Sequence, residues 1–123
     1  MCIRDSPFTV KRIEAGIPVS ASDYVSAIEK AKKMEQILGQ VFLKYDAIIT
    51  PASTGQAPRD LMNTGNAIFN GYWTMMGVPA ISLPFLKGRD NLPIGIQFIA
   101  NWSEDTKLLE ICKEVLRKEK LAN

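Results

Sequence analysis

The chain has 123 residues, 46% of them hydrophobic and 23% charged, with a formal net charge of +2. That length suits one ordinary domain with a buried core, and the charge balance excludes a disordered tail or a strongly basic nucleic-acid binder. Histidine is absent, which removes Ser-His-Asp and Cys-His catalysis, histidine-based zinc sites and the usual general base together, so neither a metal nor a cofactor is expected.

Met1 to Ser6 shows no periodicity continuous with the residues after it and reads as a non-native leader, leaving residues 7–123 for the fold. Phe8 to Ala15 fits the last turns of a helix, with Gly16 as a left-handed cap. A long helix comes next. Ser20 or Ser22 caps it, Asp23 completes a capping-box-like pair with Ser20, and Val25, Ile28, Met34, Ile37, Leu38, Val41 and Phe42 form its apolar stripe. Lysines interleaved with glutamates, such as Glu29 with Lys33, read as its solvated face.

Asp46-Ala47-Ile48-Ile49-Thr50, ended by Pro51, has the pattern of a strand buried on both faces beside parallel neighbours. The loop after it, Thr50 to Gly55, stands where open α/β sheets bind ligands, beyond a strand's carboxyl end; it also fits an ordinary Pro/Gly loop. The spacing predicts a helix over Gly65 to Met76, with Ile68, Tyr72 and Met76 in one row and Asn66, Asn70 and Thr74 as a neutral polar stripe. Buried amides need partners. Here those are the backbone of a neighbouring loop, or a substrate and its waters.

The uncharged stretch around this helix is interrupted by Pro79, Pro84, Gly65, Gly71 and Gly77, which argues against a membrane span. Ala80 to Leu83, bracketed by prolines, and Ile94 to Ile99 then read as an antiparallel hairpin around the polar tip Leu86 to Asn91, and Gly95 and Ala80 are small enough to admit a close neighbour. The last helix is capped by Ser103, with Leu108, Leu109, Ile111, Cys112, Val115 and Leu116 as its buried face. Cys2 and Cys112 lack a CxxC partner and no signal-peptide pattern is present, so a reducing cytoplasm is the expected location and Cys112 a core residue.

Taken in series, Tyr45 to Pro51, Thr64-Gly65-Asn66 with Phe69-Asn70 and Trp73-Thr74, Gly77 to Pro84, Leu92 to Gln97 and Glu104-Asp105 resemble the carboxyl-terminal region of the amidase signature family. The resemblance covers nearly all of the chain from Phe8 onward. It implies an α/β fold, the C-terminal part of an α/β/α sandwich with a mixed sheet: long helix, buried strand, apolar helix, β-hairpin and terminal helix. It also implies hydrolysis of small-molecule amides by a serine activated by a second serine and a lysine. In the family the triad lies in and before an upstream Gly/Ser-rich segment, and this sequence has no such segment. Ser53 or Ser82 with Lys44 or Lys87 has no supporting spacing. The expectation is therefore a fragment that supplies core and pocket wall without the triad. Thr50, Asn66, Asn70 and Trp73 are its candidate substrate-binding residues, with no nucleic-acid or membrane partner.

Family members that take ammonia from glutamine tend to carry an aspartate near the start of the apolar helix, whereas Gly65 to Ile68 holds no acid. This favours a general amidase acting on an uncharged acyl group. The alternatives are a noncatalytic α/β interaction domain and a fragment of a glutamine amidotransferase A-type subunit.

Overall fold

The computed structural model describes residues 7–60, 63 and 65–122. The expected leader, with Cys2, and Leu61, Met62 and Thr64 lie outside them. The chain forms two compact units that divide between Met34 and Glu35.

In the first unit, α1 runs Pro7–Gly16 and α2 begins at Ala21, continuing to Phe42 in the second. Gly16 does not adopt the expected left-handed cap. It closes the helix as an ordinary turn residue, with Val19 N donating to its carbonyl (3.1 Å). The start of α2 matches the expected capping pair: Asp23 N donates to Ser20 Oγ (3.1 Å), and Ser20 Oγ donates to Asp23 Oδ2 (2.6 Å). Its apolar stripe is only partly used. Leu38 is buried, while Val25, Ile28 and Ile37 are exposed.

The second unit is built on a three-stranded sheet of β1 (Ile48–Pro51), β2 (Ala80–Lys87) and β3 (Pro93–Ile99), in the order β1-β3-β2. Both pairings are antiparallel, with Ile48 opposite Ile99 and Ile81 opposite Phe98. This corrects the expectation of parallel neighbours for β1. The strand is short and apolar because it lies against the buried end of β3, yet Ile49 stays exposed, so it is not covered on both faces here. Pro84 sits within β2, where the register shifts between Leu83 and Leu86; a proline without an N–H fits such an irregularity. The hairpin tip closes with Gly88 N donating to Leu92 O (2.9 Å), and Asn91 takes a left-handed conformation there (φ 59°).

The alternation of β3 sends its residues to two cores. On one face Phe98, Ile96, Leu83, Ile81 and Phe85 pack against Leu108, Ile111, Cys112, Val115 and Leu116 of α4 (Asp105–Ala122). On the other, Ile99 and Ile48 pack with Leu38 and Phe42 of α2, Met76 and Trp73 of α3 (Gly71–Met76), Val78 and Trp102. Helices thus cover both faces, giving the expected α/β layering. Leu108 and Ile99 are almost completely enclosed, each contributing about 1.5–3 kcal/mol of burial. Leu109, expected in the core, is exposed. Ser103 is not the cap of α4: it takes φ 61°, and Glu104 carries the first helical carbonyl, accepting from Leu108 N (3.0 Å).

The apolar helix is shorter than predicted, Gly71–Met76 in place of Gly65–Met76. Upstream, asparagine side chains compete with helical hydrogen bonds: Asn63 Oδ1 accepts from Gly65 N (2.9 Å) and Asn66 Oδ1 from Ile68 N (3.0 Å). At the other end Gly77, at φ 65°, supplies the left-handed cap, its N–H reaching the Thr74 carbonyl.

Candidate functional site

The segment after β1 and the segment leading into α3 face each other across a cleft of about 530 Å³. One wall is Ala52 to Pro58; the other includes Asn63, Gly65, Asn66, Ala67 and Asn70; Pro93, the first residue of β3, also lines it. Gly55 and Pro58 keep the first wall out of regular structure, and Gly65 with the Asn63 and Asn66 turns does so for the second.

Two of the four sequence-predicted site residues meet here. Asn66 and Asn70 both line the cleft, but not as a helical stripe: Asn70 is the N-cap of α3, and Asn66 lies in the turn before it. Asn70 Nδ2 donates to Ala52 O (3.2 Å), joining the two walls; Asn66, Asn70 and Thr74 are all exposed, so the expected stripe of buried amides does not form, although Asn70 does find a partner on the backbone of the neighbouring loop. The side-chain carbonyl oxygen of Asn70 and the Asn66 amide nitrogen make no hydrogen bond among the described residues, so the cleft lining carries one exposed amide acceptor and one exposed amide donor.

Thr50 and Trp73 are placed elsewhere. Thr50 sits opposite Gln97 in the sheet, its Oγ1 3.5 Å from Gln97 Oε1, and Trp73 packs into the core with Met76 and Ile99. Gln97 is a buried polar side chain paired across both neighbours, with Thr50 on one side and Ser82 on the other. Sequence reasoning missed it; its alternation between Ile96 and Phe98, against a threonine and a serine on the partner strands, was the available signal.

The cleft holds no lysine or arginine among the described residues lining it; Asp60 is its charged member. Ser53, on its wall, donates to Gly55 O (2.5 Å) and so serves the loop's turn. No hydrogen bond joins a serine to a lysine among the described residues. Lys107, away from the cleft, is held charged: its pKa is raised, first by Asp46 (2.9 Å) and then by Glu104 (3.3 Å). A base needs the opposite shift.

A profile for the family described as Amidase matches residues 5–109. The chain belongs to the amidase family. Among curated relatives, it is 34% identical over 111 residues to the A-type subunit of the glutamyl-tRNA(Gln) amidotransferase of Aliarcobacter butzleri, a match covering 81% of this chain and 24% of that protein. It is 33% identical over 102 residues to a fatty acid amide hydrolase of Medicago truncatula, covering 72% of this chain and 17% of that one. A crystal structure of an amidase superposes with a TM-score of 0.73 at 24% identity, over 86% of this chain and 27% of that chain, which confirms the fold. The chain thus spans about a quarter of the length of the amidotransferase polypeptide and less of the hydrolase.

Proposed function

We propose that this chain forms sheet, flanking helices and one wall of the substrate cleft of an amidase whose serine nucleophile, second serine and lysine lie outside these 123 residues, so that the chain alone does not hydrolyse amides. The observation that carries this reading is the cleft itself: paired asparagine amides on a loop-built wall, with no lysine among the described lining residues. The Asn66 donor and the Asn70 acceptor complement the carbonyl and N–H of a carboxamide, and they favour a neutral amide over a charged one.

The 34% identity to an amidotransferase polypeptide supports a second reading, in which the parent takes ammonia from glutamine. Asp60 is the acidic residue that lines the cleft. Substrate preference separates the two.

Ammonia release from hexanamide, benzamide and glutamine is the test. The purified chain is expected to release none; release that Ser53→Ala or Ser82→Ala abolishes overturns the proposal. In a longer polypeptide containing this sequence and hydrolysing amides, Asn70→Ala is expected to lower kcat/KM roughly tenfold, about 1.4 kcal/mol. Unchanged kinetics with a lowered Tm would assign Asn70 to structure alone.

A further inference from the structure

The wall Ala52 to Pro58 is fixed from behind by the tip of the β2–β3 hairpin. Asp90, on that tip, accepts from Arg59 through both carboxylate oxygens, Nη2 on Oδ1 and Nε on Oδ2 (3.3 Å), and from Gln56 Nε2. The Gln56 amide is used at both ends, because its Oε1 accepts from the backbone N–H of Asp90 (3.1 Å). Gly88 completes the seat: a Cβ there would stand 2.8 Å from Gln56 Cβ and 2.9 Å from its Cδ, so only glycine lets the side chain lie flat on the turn. Gln56 lines the cleft, whereas Asp90 does not.

We infer that the hairpin tip is a latch for the cleft wall: Asp90, through Gln56 and Arg59, and Gly88, through its missing side chain, hold residues 54–59 in the conformation that shapes the cleft. A lone exposed ion pair contributes little, but this one is forked and shares its carboxylate with an amide that is itself doubly bonded. The latch is local. Arg59 and Gln56 stand on an irregular segment that donates no residue to either core cluster, so releasing them frees the wall without opening the sheet. Asp90 is accordingly a positioning residue, acting on a ligand only through Gln56. The inference rests on hydrogen bonds and packing, and stands whether the parent is an amidase or an amidotransferase.

The test is backbone 15N relaxation on the full 123-residue chain and on Asp90→Asn, Arg59→Gln and Gln56→Ala. In the unsubstituted chain, order parameters for 54–59 should approach the rigid value of about 0.85, falling below about 0.6 in Asp90→Asn and Gln56→Ala, with 94–99 unchanged in all. Arg59→Gln, at a side chain that is itself 82% exposed, removes the fork without disturbing any core and should show the smaller loss. The charge-exchanged double variant Arg59→Asp/Asp90→Arg should recover order lost by Asp90→Arg alone. Residues 54–59 already mobile in the unsubstituted chain, or still rigid in both Asp90→Asn and Gln56→Ala, would overturn the latch; so would an equal loss of order in 94–99.

Discussion

Gly95 is where the sheet and the cleft are mechanically joined, and replacing it tests that junction. Its carbonyl accepts from Ala52 N (3.0 Å), and Ala52 O in turn holds Asn70. An added Cβ would collide with Ser82 Oγ and stand 3.0 Å from Ala52 Cβ. Gly95 has no left-handed φ, so alanine should gain about 0.4–1 kcal/mol through the unfolded chain, against an overpacking cost of about 1–3 kcal/mol. The net expectation for Gly95→Ala is a loss of about 1–2 kcal/mol. The Ser82 hydroxyl is one of the two clashing groups and sits on an exposed residue, so Ser82→Ala alone should lie within about 0.5 kcal/mol of the parent. In the double variant only the Ala52 contact is tight, and the Gly95→Ala penalty should shrink by at least about 0.5 kcal/mol. Urea unfolding followed by the fluorescence of Trp73 and Trp102 reads all four corners of the cycle. Additivity, or a Gly95→Ala variant as stable as the parent, would refute the close approach of Ala52, Ser82 and Gly95.

Leu108→Ala should cost about 2–5 kcal/mol, since Leu108 is almost fully enclosed between α4 and the strands; urea midpoints check it, and a cost under about 1 kcal/mol would mean the α4 face is not packed as described. Asp90 should titrate below its ordinary 3.8, because Arg59 first and Gln56 second stabilise its charged form. A folded pKa lowered in this way contributes stability above the unfolded carboxyl's pKa of about 3.9, lost as pH falls through the folded value, so latch order should persist at neutral pH and disappear only in acid. A side-chain carboxyl titration by NMR with its midpoint at or above 3.8 would contradict that sign.

The long helix, the hairpin and the last helix were legible in the sequence because each carries its own periodicity or end signal: Ser20 with Asp23, Gly88 with Asn91, and the i, i+4 core pair Leu108 and Cys112, although the cap expected at Ser103 falls at Glu104. The short apolar helix was misread for a definable reason. Its upstream residues have helical spacing, but Asn63 and Asn66 spend their side-chain oxygens on nearby backbone N–H groups, and Gly65 takes φ 84°. Periodicity alone does not register that competition. β1 was misread because a strand this short, with only Ile48 and Ile49 as its large apolar residues, looks the same whether its neighbours are parallel or antiparallel. Gln97 was overlooked because a polar residue in an alternating strand ordinarily faces water; only the register, which sets it between Thr50 and Ser82, buries it.

The misread helix is also what makes the cleft. Had Gly65 to Met76 been one continuous helix, Asn66, Asn70 and Thr74 would have stood in a row on a single face. Ending the helix at Asn70 instead turns the Asn66 segment back toward Ala52 to Pro58 and sets two amides on one wall, with Asn70 tied to Ala52. The opposite wall depends on Gln56, and Gln56 depends on Asp90 and Gly88. Two loops with little packing of their own are thereby fixed at three points: Asn70 on Ala52, Ala52 on Gly95, and Gln56 on Asp90. Order at the cleft is therefore carried by hydrogen bonds to the sheet and its hairpin rather than by burial. Substitutions at Gly88, Asp90 and Gly95, none of which lines the cleft, should consequently alter its walls more than conservative changes among the exposed lining residues such as Ala57.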